Sequence, residues 1–235
     1  MLARLNQAFY EGFAEEFAGT REGLLPGFDL ILPHVAPASN VLDLGCGNGR
    51  FLRFLSERGW RGSYTGLDSS ARLLQLATEA ATGITGIRAR FMRSDLLQAD
   101  WPAALALSSA EAVVSLAVLH HIPGRENRSD YLAQCRDLVT ETGVVILSTW
   151  QFLQAPRLRA RILPWSAVGI GDERVEPDDY LLAWGQGDLG RRYCAWIGPE
   201  ELDRLARAAG LAPVAQYRSD GREGNLNLYG VYRRQ

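Results

Sequence analysis

The chain contains no lysine; all 25 of its basic residues are arginine. A loop that cradles nucleotide phosphates carries a lysine directly after its last glycine, so no such loop is available here. The replacement runs through the whole chain and therefore marks no particular site; it reads as composition bias in the encoding genome. Cysteine is scarce too. Cys46, Cys135 and Cys194 are an odd number with no CxxC pair, so neither a disulfide framework nor a Cys-rich zinc site is expected, and the expected compartment is a reducing cytoplasm. No apolar run is long enough to span a bilayer. Residues 1–13 are interrupted by Arg4, Asn6 and Glu11 and lack the unbroken apolar stretch of a secretion signal. The net charge of −2 gives no sign of a chain that coats nucleic acid by bulk charge.

What is present is an alternation of strand and helix patterns. Leu2, Leu5, Ala8, Phe9, Phe13 and Phe17 recur at helical spacing. Thr20 then reads as the N-cap of a second helix over residues 28–35. From Asn40 onward, short apolar strands at 41–44, 63–67, 87–92, 112–118 and 143–149 alternate with helical stretches at 50–58, 70–81 and 128–139. A helix at 199–209 precedes two final strands, 211–217 and 225–232, joined by a turn at Asp220 and Gly221. Repeated strand–helix units imply an α/β fold, a doubly wound and mostly parallel seven-stranded sheet, with the last strand antiparallel. The expected organisation is one domain over 1–235. Residues 1–38 form a helical cover. Residues 150–197, broken by Pro156, Pro164 and Pro177, form a lid insertion.

The most informative stretch is Val41-Leu42-Asp43-Leu44-Gly45-Cys46-Gly47-Asn48-Gly49-Arg50. A buried strand enters a glycine-rich turn and a helix leaves it. In open α/β sheets ligands lie beyond the carboxyl ends of strands, where this turn sits. A dinucleotide loop would require glycine at position 50, which is Arg50. The spacing is therefore GxGxG, with Asp43 two residues before the first glycine. An ordinary strand–helix turn is the alternative use of the same residues.

This segment resembles the first motif of class I S-adenosylmethionine-dependent methyltransferases. The resemblance implies a cofactor site in which Asp43, Gly45, Cys46, Gly47 and Gly49 wrap the methionine part of S-adenosylmethionine. It places Asp68 with Ser69, at the end of the second strand, on the ribose hydroxyls. Asp95 and Leu96 fall to the adenine, and Leu116 lies where the fourth strand ends near the methyl. Asp68 and Asp95 could equally serve as turn or cap residues. At a finer level, Phe9-Tyr10, Phe17-Ala18, Thr20-Arg21, residues 115–123 and Leu189-Gly190-Arg191-Arg192-Tyr193 are similar to the tRNA wobble-uridine carboxymethyl methyltransferases. That resemblance implies tRNA as acceptor and a small zinc-binding activator subunit as a partner. The sequence departs from the family at Cys194 and Ala195, where an aromatic residue and a histidine are usual. A small-molecule acceptor, a carboxylic acid or a phenol, is the alternative.

Methyl transfer from a sulfonium is an in-line displacement, and positioning supplies much of the rate. A carboxylate acceptor needs no base but needs a cationic fork, for which Arg21 and Arg192 are the candidates. A hydroxyl acceptor makes a base useful, and His120 or His121 would serve. Tyr193, with Tyr10, Phe13 and Trp150, could wall the acceptor pocket. Each of these also has a plain use, as a surface salt bridge, a packing ring or a loop support. Arg157, Arg159 and Arg161 could touch phosphate or form a solvated face. No metal ligand set is expected.

Overall fold

The computed structural model of the protein describes residues 1–20, 23–105, 109–185 and 190–235. Its centre is a seven-stranded sheet. The parallel part consists of β1 (Asn40–Leu44), β2 (Gly62–Asp68), β3 (Ile87–Arg93), β4 (Ala110–Leu116) and β5 (Val139–Trp150). Helices α4 (Arg50–Glu57) and α5 (Ala71–Ala81) follow β1 and β2, and α6 (Arg125–Leu138) leads into β5. After α8 (Pro199–Ala208) come β9 (Leu211–Ser219) and β10 (Asn227–Arg234). The strand order is β3-β2-β1-β4-β5-β10-β9. Only β10 runs against the others, pairing antiparallel with both β5 and β9.

Strand alternation explains how β1 feeds two cores. Leu42 and Leu44 face one side, with Val113, Leu132 and Leu205. Val41 faces the other, with Tyr64, Val114 and the α4 residues Phe51, Leu52, Phe54 and Leu55. Fully burying one such side chain contributes about 1.5–3 kcal/mol, so the carboxyl end of β1 is held firmly from both faces. Asp43 falls on the Val41 side.

Two expectations about the N-terminal segment are corrected. The apolar periodicity through Phe17 is not one helix: α1 (Leu2–Gly12) and α2 (Ala14–Gly19) meet at Phe13. Thr20 is not an N-cap; it follows α2, where its N–H donates to the Glu16 carbonyl at 3.3 Å. The next helix, α3 (Pro26–Val35), starts on its own proline, which suits a first turn with no N–H to satisfy. The 150–197 segment carries more regular structure than its prolines suggest. A one-turn helix, α7 (Pro156–Arg159), precedes a small antiparallel sheet of β6 (Ile162–Leu163), β7 (Asp179–Trp184) and β8 (Gly190–Ala195). Helix α1 packs on β8. All three cysteines are buried and free. Among the described residues no helix is long and apolar enough to cross a membrane.

Candidate active site

A cleft of about 1230 Å³ opens beyond the carboxyl ends of β1, β2 and β4. Of the residues singled out for the cofactor, Asp43, Gly45, Cys46, Gly47, Asp68, Ser69, Asp95, Leu96 and Leu116 line it. Gly49 does not. With φ +74 it starts α4, and a Cβ there would press on Ala77 of α5 at 3.3 Å, so it serves helix packing. Gly45 is the tighter constraint. Its φ is +79 and a Cβ would sit 2.3 Å from Val118 Cγ2, so only glycine lets the loop pass under the tip of β4.

The loop is held by hydrogen bonds that its own sequence does not announce. The N–H groups of Gly45 and Cys46 both donate to the Leu67 carbonyl, at 2.7 and 2.8 Å. Asp68 accepts from Gly47 N at 2.9 Å through Oδ2 and from Ser70 N at 2.9 Å through Oδ1. Its carboxylate thus ties the loop to the start of α5, and each oxygen keeps further acceptor capacity. Burial pushes its pKa up, and the Ser70 and Gly47 N–H groups hold it back. Ser70, not Ser69, caps α5, its Oγ accepting from Leu73 N at 3.3 Å. Asp43 is buried, and its pKa is pushed up to about 7 by burial, opposed by the hydrogen bond that Tyr64 donates and reinforced by nearby Asp68. Asp95 closes a turn, accepting from Leu97 N at 3.0 Å while facing the cleft. At the tip of β4, Ala117 takes φ +60, a left-handed conformation rare for a residue with a side chain. Its N–H donates to Ser148 Oγ at 2.9 Å.

The other end of the cleft is built from side chains of distant segments. Arg192, on β8, lines it and is only 4% exposed. Its guanidinium carbon lies 4.6 Å from the Trp150 ring centroid and 5.3 Å from that of Phe9. Its Nε has no hydrogen-bond partner, and among the described residues no carboxylate pairs with it. Two desolvated cation–π contacts contribute on the order of 2 kcal/mol each, whereas an unpaired buried ion costs several. The site is therefore electrostatically set to take an anion.

His120 and His121 both line the cleft. The Trp150 N–H points at His120 Nδ1 at 3.4 Å. His121 Nδ1 is 3.0 Å from the Tyr193 carbonyl oxygen, and its Nε2 is 2.8 Å from the Tyr10 hydroxyl. The expectation for Tyr193 is corrected. Its ring is fully buried and does not line the cleft; its hydroxyl donates to Asp179 at 2.6 Å and accepts from Arg128 at 3.1 Å. β-strand alternation sends Tyr193 inward because Arg192 points to the cleft. Arg21 lies outside the described residues. Asn6 was not singled out from the sequence. Buried on α1, it accepts from Tyr193 N at 2.8 Å and donates to the carbonyls of Tyr193 and His121, both at 3.2 Å. The sequence does hold a signal for it, an amide in line with Leu2, Leu5 and Phe9 on an otherwise apolar stripe.

A family profile described as a methyltransferase domain matches residues 16–216. The chain belongs to that family. Its cofactor is S-adenosylmethionine, and the sheet has the Rossmann-like methyltransferase order. A solved S-adenosylmethionine-dependent methyltransferase of Methanosarcina mazei superposes with a TM-score of 0.67 at 21% identity, covering 87% of this chain and 96% of that one. A ubiquinone biosynthesis O-methyltransferase of Burkholderia pseudomallei is 29% identical over 76% of this methyltransferase and 66% of its own length. A tRNA U34 carboxymethyltransferase of Vibrio campbellii is 32% identical over 52% of this chain. This methyltransferase spans only 36% of the length of that tRNA relative.

Proposed function

We propose that this methyltransferase methylates an oxygen of a small organic acid, whose anionic group is held by Arg192. The observation that carries the reading is the buried guanidinium stacked between Trp150 and Phe9 at the cleft with no carboxylate on it. Bound S-adenosylmethionine supplies an electrophilic methyl group on a sulfonium. The chain's part is to bind and align. Asp68 has acceptor capacity for the ribose hydroxyls, Asp95 and Leu96 stand where adenine would lie, and the Gly45–Gly47 turn gives the backbone close approach to the methionine part. The Trp150 ring offers a flat wall beside the guanidinium, which suits a planar acid.

Methylation of a modified wobble uridine in tRNA is the second reading, favoured by the similarity to the tRNA U34 carboxymethyltransferase. A phosphate track leading to the cleft would support it. Outside the cleft, Arg72 pairs with Glu15 at 2.7 Å and Arg93 with Glu11 at 3.6 Å, while Arg4, Arg50 and Arg174 line the cleft itself. The experiment is methyl transfer from tritium-labelled cofactor to a panel of aromatic acids, to their amides and to unfractionated tRNA. Label in acids and not in amides is expected; label confined to tRNA would establish the second reading instead. Nucleoside mass spectrometry of a deletion strain gives an independent check.

A further inference from the structure

We infer that Tyr10 and His121 form a proton relay, with Tyr10 as the group that touches the acceptor, and that the methylated oxygen is a hydroxyl on the acid held by Arg192. The inference rests on the anion reading above and goes further by naming the nucleophile.

The argument is one of donors and acceptors. A backbone carbonyl can only accept, so the 3.0 Å contact of His121 Nδ1 with the Tyr193 oxygen places the ring proton on Nδ1. The Asn6 amide, 3.5 Å from the same nitrogen, does not compete, because both its hydrogens have carbonyl acceptors at 3.2 Å. Nε2 of His121 is then an acceptor, and the Tyr10 hydroxyl at 2.8 Å donates to it. The chain therefore runs from the Tyr193 carbonyl through the imidazole to the phenol of Tyr10, a residue that lines the cleft. An orienting acceptor, a fixed imidazole and a hydroxyl in series is the arrangement that general-base catalysis requires. His120 is arranged the other way round. With its Nδ1 receiving the Trp150 N–H, its neutral form carries a proton on Nε2 and is a donor. The two adjacent histidines thus carry opposite tautomers, and it is His121 whose acceptor nitrogen meets the Tyr10 hydroxyl.

The step balances without any further reagent. The acceptor hydroxyl gives its proton to the Tyr10 oxygen while the Tyr10 proton passes to His121 Nε2. The oxygen's electron pair closes on the methyl carbon, and the carbon–sulfur pair stays with sulfur. The imidazolium returns its proton to water after the product leaves. The acid's carboxylate stays on Arg192 throughout and is an anchor, not the nucleophile. Among the described residues, ionisable groups facing His121 include Tyr10 from α1, Cys194 from β8 at 3.6 Å from Nδ1, and the His120 ring at a centroid distance of 4.3 Å. Arg192 lies two residues before Cys194 and adds positive charge nearby.

The test uses the full chain loaded with S-adenosylhomocysteine for binding and spectroscopy, and with S-adenosylmethionine for turnover. NMR of nitrogen-labelled histidine should show His121 protonated at Nδ1 and bare at Nε2, with Nε2 shifting in Tyr10→Phe. Proton on Nε2 in the wild type would overturn the relay. Among ortho-, meta- and para-hydroxybenzoate, at least one should be methylated on its hydroxyl. Tyr10→Phe should lower kcat for it by ~10²-fold or more while changing benzoate affinity less than threefold. The wild-type kcat should rise with pH as His121 loses its proton, and Tyr10→Phe should lose that limb. Methyl ester as the product, or an unchanged kcat in Tyr10→Phe, contradicts the relay and leaves the anion site standing. Failure of benzoate to bind the loaded wild type strikes the anion site itself.

Discussion

The two ends of the cleft are built on different principles. At the cofactor end, one contiguous stretch, residues 41–50, supplies strand, turn and helix start, and Asp68, Asp95 and Leu96 join it from the end of β2 and the segment after β3. At the acceptor end, Tyr10, His120, His121, Trp150 and Arg192 come from α1, the segment after β4, the end of β5 and β8. The first end depends on conformations that only glycine takes freely. The second depends on side-chain hydrogen bonds across long sequence separations, such as Asn6 to Tyr193. A local site of the first kind tolerates change around it, whereas the second is only as well aligned as the packing of α1 on β8.

The largest effect is expected at the cofactor end. Asp68→Ala removes the carboxylate that accepts from Gly47 and Ser70 and that we propose for the ribose hydroxyls, and cofactor affinity should fall by about 2–4 kcal/mol. Calorimetry with S-adenosylhomocysteine measures it; an unchanged constant in a variant folded by circular dichroism would make Asp68 a turn residue alone. Benzoate binding to the unloaded variant should hardly move if the two ends are independent.

A smaller loss is expected at the junction of the two halves. Asn6→Ala leaves the buried N–H of Tyr193 without its acceptor and should destabilise the protein by about 1–3 kcal/mol. It should also weaken benzoate binding and leave cofactor binding intact. Equal weakening of both ligands would argue that α1 supports the whole cleft.

The subtlest effect is the pH dependence from Asp43. Its carboxyl is raised by burial to about 7, against 3.8 for the free group. The folded state therefore binds more protons than the unfolded state in between. Stability from this group is full below about pH 4 and is lost as the pH rises through about 7. Asp43→Asn should flatten that part of the stability–pH curve, as read from urea midpoints at several pH values. A curve of unchanged slope would show that Asp43 is ionised in the folded state throughout.

The same contrast governs what the sequence disclosed. Residues 41–50 announce their turn because the information is local: apolar run, acid, spaced glycines, apolar helix. The parallel sheet follows from the alternation of elements, and the antiparallel β10 from the short turn before it, whereas the strand order is a finding of the structure. The small sheet of β6, β7 and β8 was not legible, because β6 has two residues and prolines and glycines interrupt the segment. Tyr193 was misjudged because its motif neighbour Arg192 faces the cleft, and strand alternation sends adjacent residues to opposite faces. Asn6 was visible only as a polar residue on an apolar stripe, and its partners lie at the other end of the chain.

The central claim is that the acceptor end is an anion site organised by Arg192. It is tested most directly by titrating benzoate into the protein loaded with S-adenosylhomocysteine, for the wild type and Arg192→Leu. The account predicts that the substitution weakens benzoate binding by about 1.5–3 kcal/mol, the range for hydrogen bonds to a charged group. It also predicts unchanged cofactor affinity and no loss of stability, since an unpaired buried charge has been removed. Equal benzoate affinity in the two proteins, or binding of benzamide as tight as that of benzoate, would contradict it.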